Sequence, residues 1–467
     1  MILPETWRDG RAVVAVVGLG KSGVAAARLL AREGVRVYAS DGSDHPYAGT
    51  AVAQLRALPG VDVEVGRHDL AKIRAAAGVV VSPGVPPDAP PLAAAREAGV
   101  EIVSELDLGF RALPGGVRCI AITGTNGKTT TTALVAHLLG VAGLRATAGG
   151  NIGRPLADIA MAGDRYQWLS VEVSSFQLHD SPHFAPDVGI VTNLAPDHLD
   201  RYPSVEAYYA DKRLLFRNAR DDAVWVLNAD DAAVLELARG ALGRRAAFSL
   251  RKPADAWYEA AAHLLRLGGE GGEGGEGGEG GGGGELLRRE ELHLLGDHNV
   301  ANALAAALAV REAGVPPGLI AQGLRSFQAL PHRLELVREV GGVQWINDSK
   351  ATNIASTVVA VEAMDRPFVL LLGGRHKGEP YTRLAPLLQN RCRLVIAYGE
   401  SGSIVEQDLR GQVPLERGAT FEDVVARARR AAKPGDAVLL SPACSSYDMF
   451  KNYEERGATF RRLVEEM

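Results

Sequence analysis

Cysteine is scarce in this 467-residue chain: Cys119, Cys392 and Cys444 stand far apart. Such spacing supports neither an even disulfide framework nor a zinc ligand set, so a reducing cytoplasm is the expected home. Long apolar runs are also missing. No charge-free stretch is long enough to span a bilayer, and residues 1–10 mix Asp, Glu, Arg and Pro instead of placing a basic stretch before an apolar one. Neither stable membrane insertion nor a signal peptide is expected. An excess of positive charge is absent too: the net charge is −5 and arginines are interspersed with acids, leaving no basic stripe for nucleic acid. What remains is a globular composition, 46% hydrophobic and sufficient to fill cores, at a length that suggests about three domains.

The most specific motif is Ile122-Thr123-Gly124-Thr125-Asn126-Gly127-Lys128-Thr129-Thr130. It follows the apolar stretch Arg118-Cys119-Ile120-Ala121 and leads into a helical pattern in which Leu134, Val135, Leu138 and Leu139 would bury one face. A strand, a glycine-rich turn and a helix in that order can wrap nucleotide phosphates with backbone N–H groups and the positive end of the helix. Lys128 would reach the terminal phosphates, and the Thr129 hydroxyl a magnesium ion. The full phosphate-loop pattern has a further glycine where this chain has Ile122, so the loop is a shortened one.

Alternating short apolar strands and longer amphipathic helices predict an α/β protein of three blocks, each a parallel sheet with helices on its faces. The first, 1–106, has strands at 12–17, 35–39 and 78–81. The second, 107–329, is built around the phosphate loop, adds strands at 168–173 and 188–192, and reaches a helix at 299–313. The third, 330–467, has strands at 344–346, 368–372, 394–398 and 437–440. Residues 268–284 are almost entirely Gly with interspersed Glu. Without apolar side chains to offset the entropy of ordering, they are expected to be a flexible, inert surface insertion.

Gly18, Gly20 and Gly23, with Asp41 at the end of the next strand, fit a dinucleotide fingerprint. The same turn can bind the diphosphate of any nucleotide conjugate or serve only as a packing turn, and a second nucleotide site in the next block makes a redox dinucleotide less favoured. Glu172 ends a strand of the second block, where a carboxylate can hold magnesium against nucleotide phosphates or simply cap a turn. His198, after the next strand, is either a metal ligand or a packed or surface histidine. Lys212, in Tyr208-Tyr209-Ala210-Asp211-Lys212-Arg213, reads by composition as a solvated helix lysine. In the third block, the loops Asn347-Asp348-Ser349-Lys350-Ala351-Thr352-Asn353, Gly373-Gly374-Arg375-His376-Lys377 and Ser441-Pro442-Ala443-Cys444-Ser445-Ser446 all follow strands. Polar groups converging there suggest an anionic small molecule.

Taken together, Thr123 to Thr130, Glu172-Val173-Ser174-Ser175-Phe176-Gln177-Leu178, Pro196-Asp197-His198-Leu199-Asp200-Arg201, Gly296-Asp297-His298-Asn299-Val300-Ala301-Asn302, Leu330-Pro331-His332-Arg333 and Asn347 to Asn353 resemble the Mur ligases, the ATP-dependent amide ligases of peptidoglycan synthesis. Phe176-Gln177 after the paired serines, Gly149-Gly150-Asn151-Ile152-Gly153 and the terminal run from Ser441 to Gly457 resemble the member that adds D-glutamate to UDP-N-acetylmuramoyl-L-alanine. The likeness runs from Val16 to Phe460 and is interrupted at the glycine insertion.

The resemblance implies a Rossmann-like N-terminal domain, a central mononucleotide-binding domain of P-loop ATPase type and a Rossmann-like C-terminal domain, acting as a monomer on small molecules. ATP and Mg2+ are the implied cofactors. Gly124, Thr125, Asn126, Gly127, Lys128, Thr129 and Thr130 would hold the ATP phosphates, and Asn302, Arg333 and Asp348 its base and ribose. Gly18, Gly20, Lys21, Ser22, Asp41 and Ser82 would hold the uridine diphosphate, with Asn151 and His198 at the reacting end of that substrate. Thr129, Glu172, His198 and Lys212 would serve the metal, Lys212 as a carbamate, against its reading from composition. Lys128, His198 and Lys212 are thus the implied catalytic residues. Lys350, Thr352, Lys377, Ser446 and Tyr453 would line the D-glutamate site, although the family often has Phe at the position of Tyr453. Alternatives are a related ligase such as one adding glutamate to folate, which the Gly18 turn argues against, an NAD-linked oxidoreductase, which leaves Lys128 unexplained, and a nucleotide-switched binding protein that hydrolyses ATP without ligation.

Overall fold

A computed structural model of the chain describes residues 3–43, 49–199, 201–268 and 284–467. It divides into two compact units, residues 1–289 with 301–325, and residues 290–300 with 326–467. Within the first unit, β1 (Val13–Val17), β2 (Arg36–Asp41), β3 (Val61–Val65), β4 (Gly78–Val81) and β5 (Ile102–Ser104) form an all-parallel sheet in the order 3-2-1-4-5. The order reverses between β1 and β4. At such a switch point the loops leaving the carboxyl ends diverge and leave a crevice for a ligand. Val14, Ala15, Val16 and Val17 are fully buried, as expected of a strand covered by helices on both sides.

The second sheet of this unit comprises β6 (Arg118–Thr123), β7 (Ala146–Gly150), β8 (Trp168–Glu172), β9 (Val188–Val191), β10 (Val224–Asn228), β11 (Arg244–Ser249), β12 (Ala256–Glu259), β13 (Leu264–Leu267) and β14 (Gly284–Arg288), in the order 14-13-12-11-10-9-6-8-7. The strands from β7 to β12 pair in parallel, whereas β12, β13 and β14 continue as an antiparallel meander. The meander departs from the purely parallel sheet expected from the sequence. Its short strands present Glu259, Arg266 and Arg288 among the apolar positions, which obscures their pattern. Gly284, assigned from sequence to the insertion, pairs with Leu267 as the first residue of β14. Gly268 is also held, its N–H donating to Asp255 O at 2.8 Å and its carbonyl accepting from Arg311 Nη1 at 2.8 Å. The rest of the expected inert insertion lies outside the described residues.

In the second unit, β15 (Glu335–Val340), β16 (Val343–Asn347), β17 (Phe368–Gly373), β18 (Cys392–Tyr398), β19 (Leu415–Arg417) and β20 (Ala437–Leu440) follow the order 15-16-20-17-18-19. All pairs are parallel except β15 with β16, a hairpin turned at Gly341-Gly342. Reading only parallel strands from the sequence missed β15, whose Arg338 and Glu339 are those of a half-exposed edge.

Candidate functional site

The phosphate loop lies between β6 and the helix Lys128–Val141, and Leu134, Val135, Leu138 and Leu139 are all buried as their spacing predicts. Gly127 caps the helix at φ 82°, and a Cβ there would stand 2.3 Å from Asn302 Oδ1. Only glycine meets both demands. Neighbouring strand ends fix the loop: Thr125 N donates to Asn193 O at 2.8 Å, Asn126 N to Asn193 Oδ1 at 2.9 Å, and Thr192 Oγ1 to Asn126 O at 2.6 Å. Lys128 Nζ donates to the Gly124 and Thr125 carbonyls at 2.9 and 2.7 Å. Thr129 and Thr130 occupy the first helical turn, Thr130 being buried. Asn302 is buried against this loop and accepts from Thr131 Oγ1 at 3.2 Å.

Glu172 closes β8 one strand over from the loop, opposite Ile122. It is buried, and its Oε1 accepts from Asn151 Nδ2 at 2.9 Å while Oε2 has no hydrogen-bond partner. A buried carboxylate oxygen left unpaired is costly, and a cation offsets that cost. His198 has a left-handed backbone, φ 55°, and its ring meets Phe176 edge-on at 5.1 Å and Tyr208 at 5.9 Å. The Tyr208 hydroxyl lies 3.3 Å from Thr125 Oγ1.

Lys212 overturns the reading from helix composition. It is only 1% exposed, its Nζ donates to Gly124 O at 2.8 Å, and it stands 4.6 Å from the centre of the Tyr208 ring. Burial, reinforced by the nearby Lys128 ammonium, drives its amine well below the usual lysine range. Residues far from Lys212 in sequence, Gly124 and Lys128, build this environment, and the helix pattern at 205–213 carries no sign of it.

In the first sheet, Gly18 has φ 88°, and a Cβ on it would lie 2.7 Å from Val85 Cγ2 and 3.0 Å from Ser82 Cβ. Ser82 Oγ donates to Gly18 O at 2.9 Å, and the Asp41 carboxylate accepts from Leu19 N at 2.6 Å and Ser43 N at 2.9 Å. Asp41 and Ser82 therefore brace the turn. Gly20 caps the helix Lys21–Arg32 with no side-chain cap, so Lys21 and Ser22 begin a helix whose first N–H groups suit a phosphate. Phe176 and Arg201, given no role from sequence, line a cavity of about 230 Å3 with Ser82, Pro83, Val85 and Tyr202. Asp200 lies outside the described residues.

In the second unit, Asp348 follows β16 and is buried, accepting from Ser441 Oγ at 2.8 Å and Leu334 N at 3.3 Å. Burial pushes its carboxyl up to about 7, against the opposing pull of Arg333 and Arg456. Arg333 lies in the turn before β15. Lys350 Nζ stands 5.5 Å from the centre of the Tyr453 ring, and Thr352 is half-buried in the same loop. Ser446 is buried in the loop after β20, while Lys377 is exposed after β17. These two loops are joined where Arg375 N donates to Ser445 O at 2.9 Å.

Known proteins resemble the chain along nearly its whole length. It is 44% identical to a UDP-N-acetylmuramoylalanine--D-glutamate ligase of Anaeromyxobacter dehalogenans, covering 97% of each chain, and 42% identical to the protein of that name from Myxococcus xanthus, covering 97% of this chain and 98% of the relative. Profiles of the Mur ligase MurD-like N-terminal domain, the Mur ligase middle domain and the Mur ligase glutamate ligase domain match residues 12–104, 122–310 and 332–444. The chain belongs to the Mur ligase family. Among solved structures of this fold, UDP-N-acetylmuramate-alanine ligase MurC of Thermotoga maritima is similar with a TM-score of 0.58 at 21% identity, covering 97% of this chain and 98% of that one. A pseudomurein peptide ligase type C of Methanothermus fervidus gives the same TM-score at 19% identity, covering 98% and 100%. The Mur ligase middle-domain match begins at Ile122 and thus includes the shortened phosphate loop. No helix among the described residues is long and apolar enough to cross a membrane.

Proposed function

We propose that the chain is an ATP-dependent ligase that joins the amine of D-glutamate to the L-alanine carboxylate of UDP-N-acetylmuramoyl-L-alanine, in the cytoplasm and as a monomer, with domain joints near residues 106 and 330. Relatives bearing the name of that reaction match almost the whole chain at 37 to 44% identity. Within the molecule, the observation that carries the reading is the phosphate loop flanked by Glu172, whose buried Oε2 is unpaired. That carboxylate fits a magnesium ion beside nucleotide phosphates, with Thr129 and His198 as further donors. When bound, the metal neutralises phosphate charge.

A carboxylate is a poor electrophile, so it must be activated first. The L-alanine carboxylate oxygen attacks the γ-phosphorus of ATP, the bond to the β,γ-bridging oxygen breaks, and ADP leaves behind an acyl phosphate. Backbone N–H groups of 124–130 and the Lys128 ammonium hold and orient the phosphates, work that amounts to positioning and charge stabilisation. Gly18, Gly20, Lys21, Ser22, Asp41 and Ser82 serve the uridine diphosphate, and Asn151 and His198 the carboxylate end. The D-glutamate amine then attacks the acyl carbon, phosphate departs, and the amine gives up its proton as the amide forms. In the second unit, Lys350, Thr352, Lys377, Ser446 and Tyr453 serve the amino acid, two of them cations matched to a dicarboxylate. Asn302, Arg333 and Asp348 serve the base and ribose of ATP. Burial lowers the pKa of Lys212 and so favours the neutral amine, the form that reacts with carbon dioxide; a carbamate there would offer a hard cation two oxygens and a negative charge.

The deciding assay is ADP release with UDP-N-acetylmuramoyl-L-alanine, comparing D-glutamate with L-glutamate, D-aspartate and glycine. Turnover with D-glutamate alone is expected. ADP release indifferent to the amino acid would leave an ATPase and remove the ligase reading.

A further inference from the structure

Arg201 ends the motif that carries His198, yet nothing in the reaction uses it. Its guanidinium lies 4.1 Å from the centre of the Phe176 ring, and from there it reaches across to the loop after β4, donating Nη2 to Val85 O at 3.1 Å and Nη1 to Pro83 O at 3.5 Å. A cavity of about 230 Å3 is lined by that loop on one side and by Phe176, Tyr202 and Ala207 on the other, so Arg201 spans the two across it. The loop in turn bears on the Gly18 turn twice, through Val85 Cγ2, which leaves no room for a Cβ at Gly18, and through Ser82 Oγ, which donates to Gly18 O. On its other side Phe176 stacks on Tyr202 at 5.3 Å and meets His198 edge-on at 5.1 Å. A continuous set of contacts thus runs from His198 through Phe176 and Arg201 to the turn at Gly18. A planar guanidinium suits this bridge because it can stack on a ring and donate in its own plane at once, which an ammonium cannot do.

We propose that Arg201 is a positioning residue that sets the sugar-nucleotide turn of the first sheet at a fixed distance from the phosphoryl-transfer centre of the second. The inference rests on the proposed function, since it takes the Gly18 turn as the diphosphate site. Arg201 acts through Val85 and Phe176 rather than by touching the reacting atoms.

The test compares Arg201→Met and Arg201→Lys with the unaltered protein in steady-state ligation, together with calorimetric titration of UDP-N-acetylmuramoyl-L-alanine and of ATP. Losing charge-assisted hydrogen bonds should raise KM and Kd for the sugar nucleotide roughly tenfold in Arg201→Met. In that variant kcat should stay within about threefold and ATP affinity should be unchanged, with Arg201→Lys intermediate. A merely structural role would lower kcat and both affinities together with thermal stability, and that pattern overturns the proposal. So does an unchanged sugar-nucleotide KM in Arg201→Met while the unaltered protein remains an active ligase. If the unaltered protein itself releases no ADP with this substrate, the functional reading falls, and this inference falls with it.

Discussion

At the scale of single residues, Lys128 and Lys212 share the Gly124 carbonyl as acceptor, at 2.9 and 2.8 Å, yet call for different tests. Lys128 stands where the loop opens toward the helix terminus. Lys128→Ala should abolish ligation while leaving sugar-nucleotide binding intact, and near-normal turnover would sink the phosphate-loop assignment. Lys212 is buried, so an alanine there removes both a packed stem and the amine proposed to carry a carbamate. Most activity should disappear in Lys212→Ala, and a small carboxylic acid in solution should restore part of it. Arginine keeps the positive charge and forms no carbamate, so Lys212→Arg should stay inactive; full activity in that variant refutes the carbamate.

At the scale of elements, the helices Glu105–Arg111 and Leu156–Met161 meet at a buried acid. Glu105 is fully buried, with Oε1 accepting from Ala157 N at 2.6 Å and Oε2 lacking a hydrogen-bond partner, and burial pushes its carboxyl from an ordinary 4.5 up to about 8. A raised acid favours folding while the unfolded chain is also protonated, and that advantage drains away as pH climbs from the unfolded value through the folded one. Between about pH 4.5 and about pH 8 the group should therefore lower stability by up to ~1.4 kcal/mol per pH unit. Glutamine keeps the acceptor for Ala157 N and cannot ionise. Thermal melts across that range should show Glu105→Gln gaining on the unaltered protein as pH rises, and parallel curves would show that Glu105 does not titrate this way.

At the scale of the whole molecule, both units place most of their candidate residues at the carboxyl ends of parallel strands, as open α/β sheets generally do, while Lys212, Asn302 and Tyr453 stand on helices and Arg333 precedes β15. In sequence the Gly- and Glu-rich segment joins β13 to β14, strands that lie five and six places from β6 in the second sheet. Since its composition offers no side chains able to form a site, replacing 269–283 with a short turn should leave ligation within a few fold. A folded but inactive deletion variant would show that the segment contributes to function. Loop length itself is a minor term in stability, so the melting temperature should move little.

The sequence by itself determined the features that contiguous residues encode. The strand–turn–helix around Gly124 to Lys128, Glu172 at a strand end and the loops after β16, β17 and β20 are all readable there, because strand and turn chemistry acts over a few residues and ligand loops follow strand ends. Tertiary structure decided what depends on distant neighbours. Lys212 is buried where its Nζ meets the Gly124 carbonyl 88 residues away in sequence, Asn302 reaches the phosphate loop through the packing of its helix, and Arg201 bridges to Val85 across 116 residues of chain. The antiparallel meander was hidden for a related reason: its short strands mix charged residues with buried apolar ones, so pairing with neighbouring strands, more than periodicity, makes them strands.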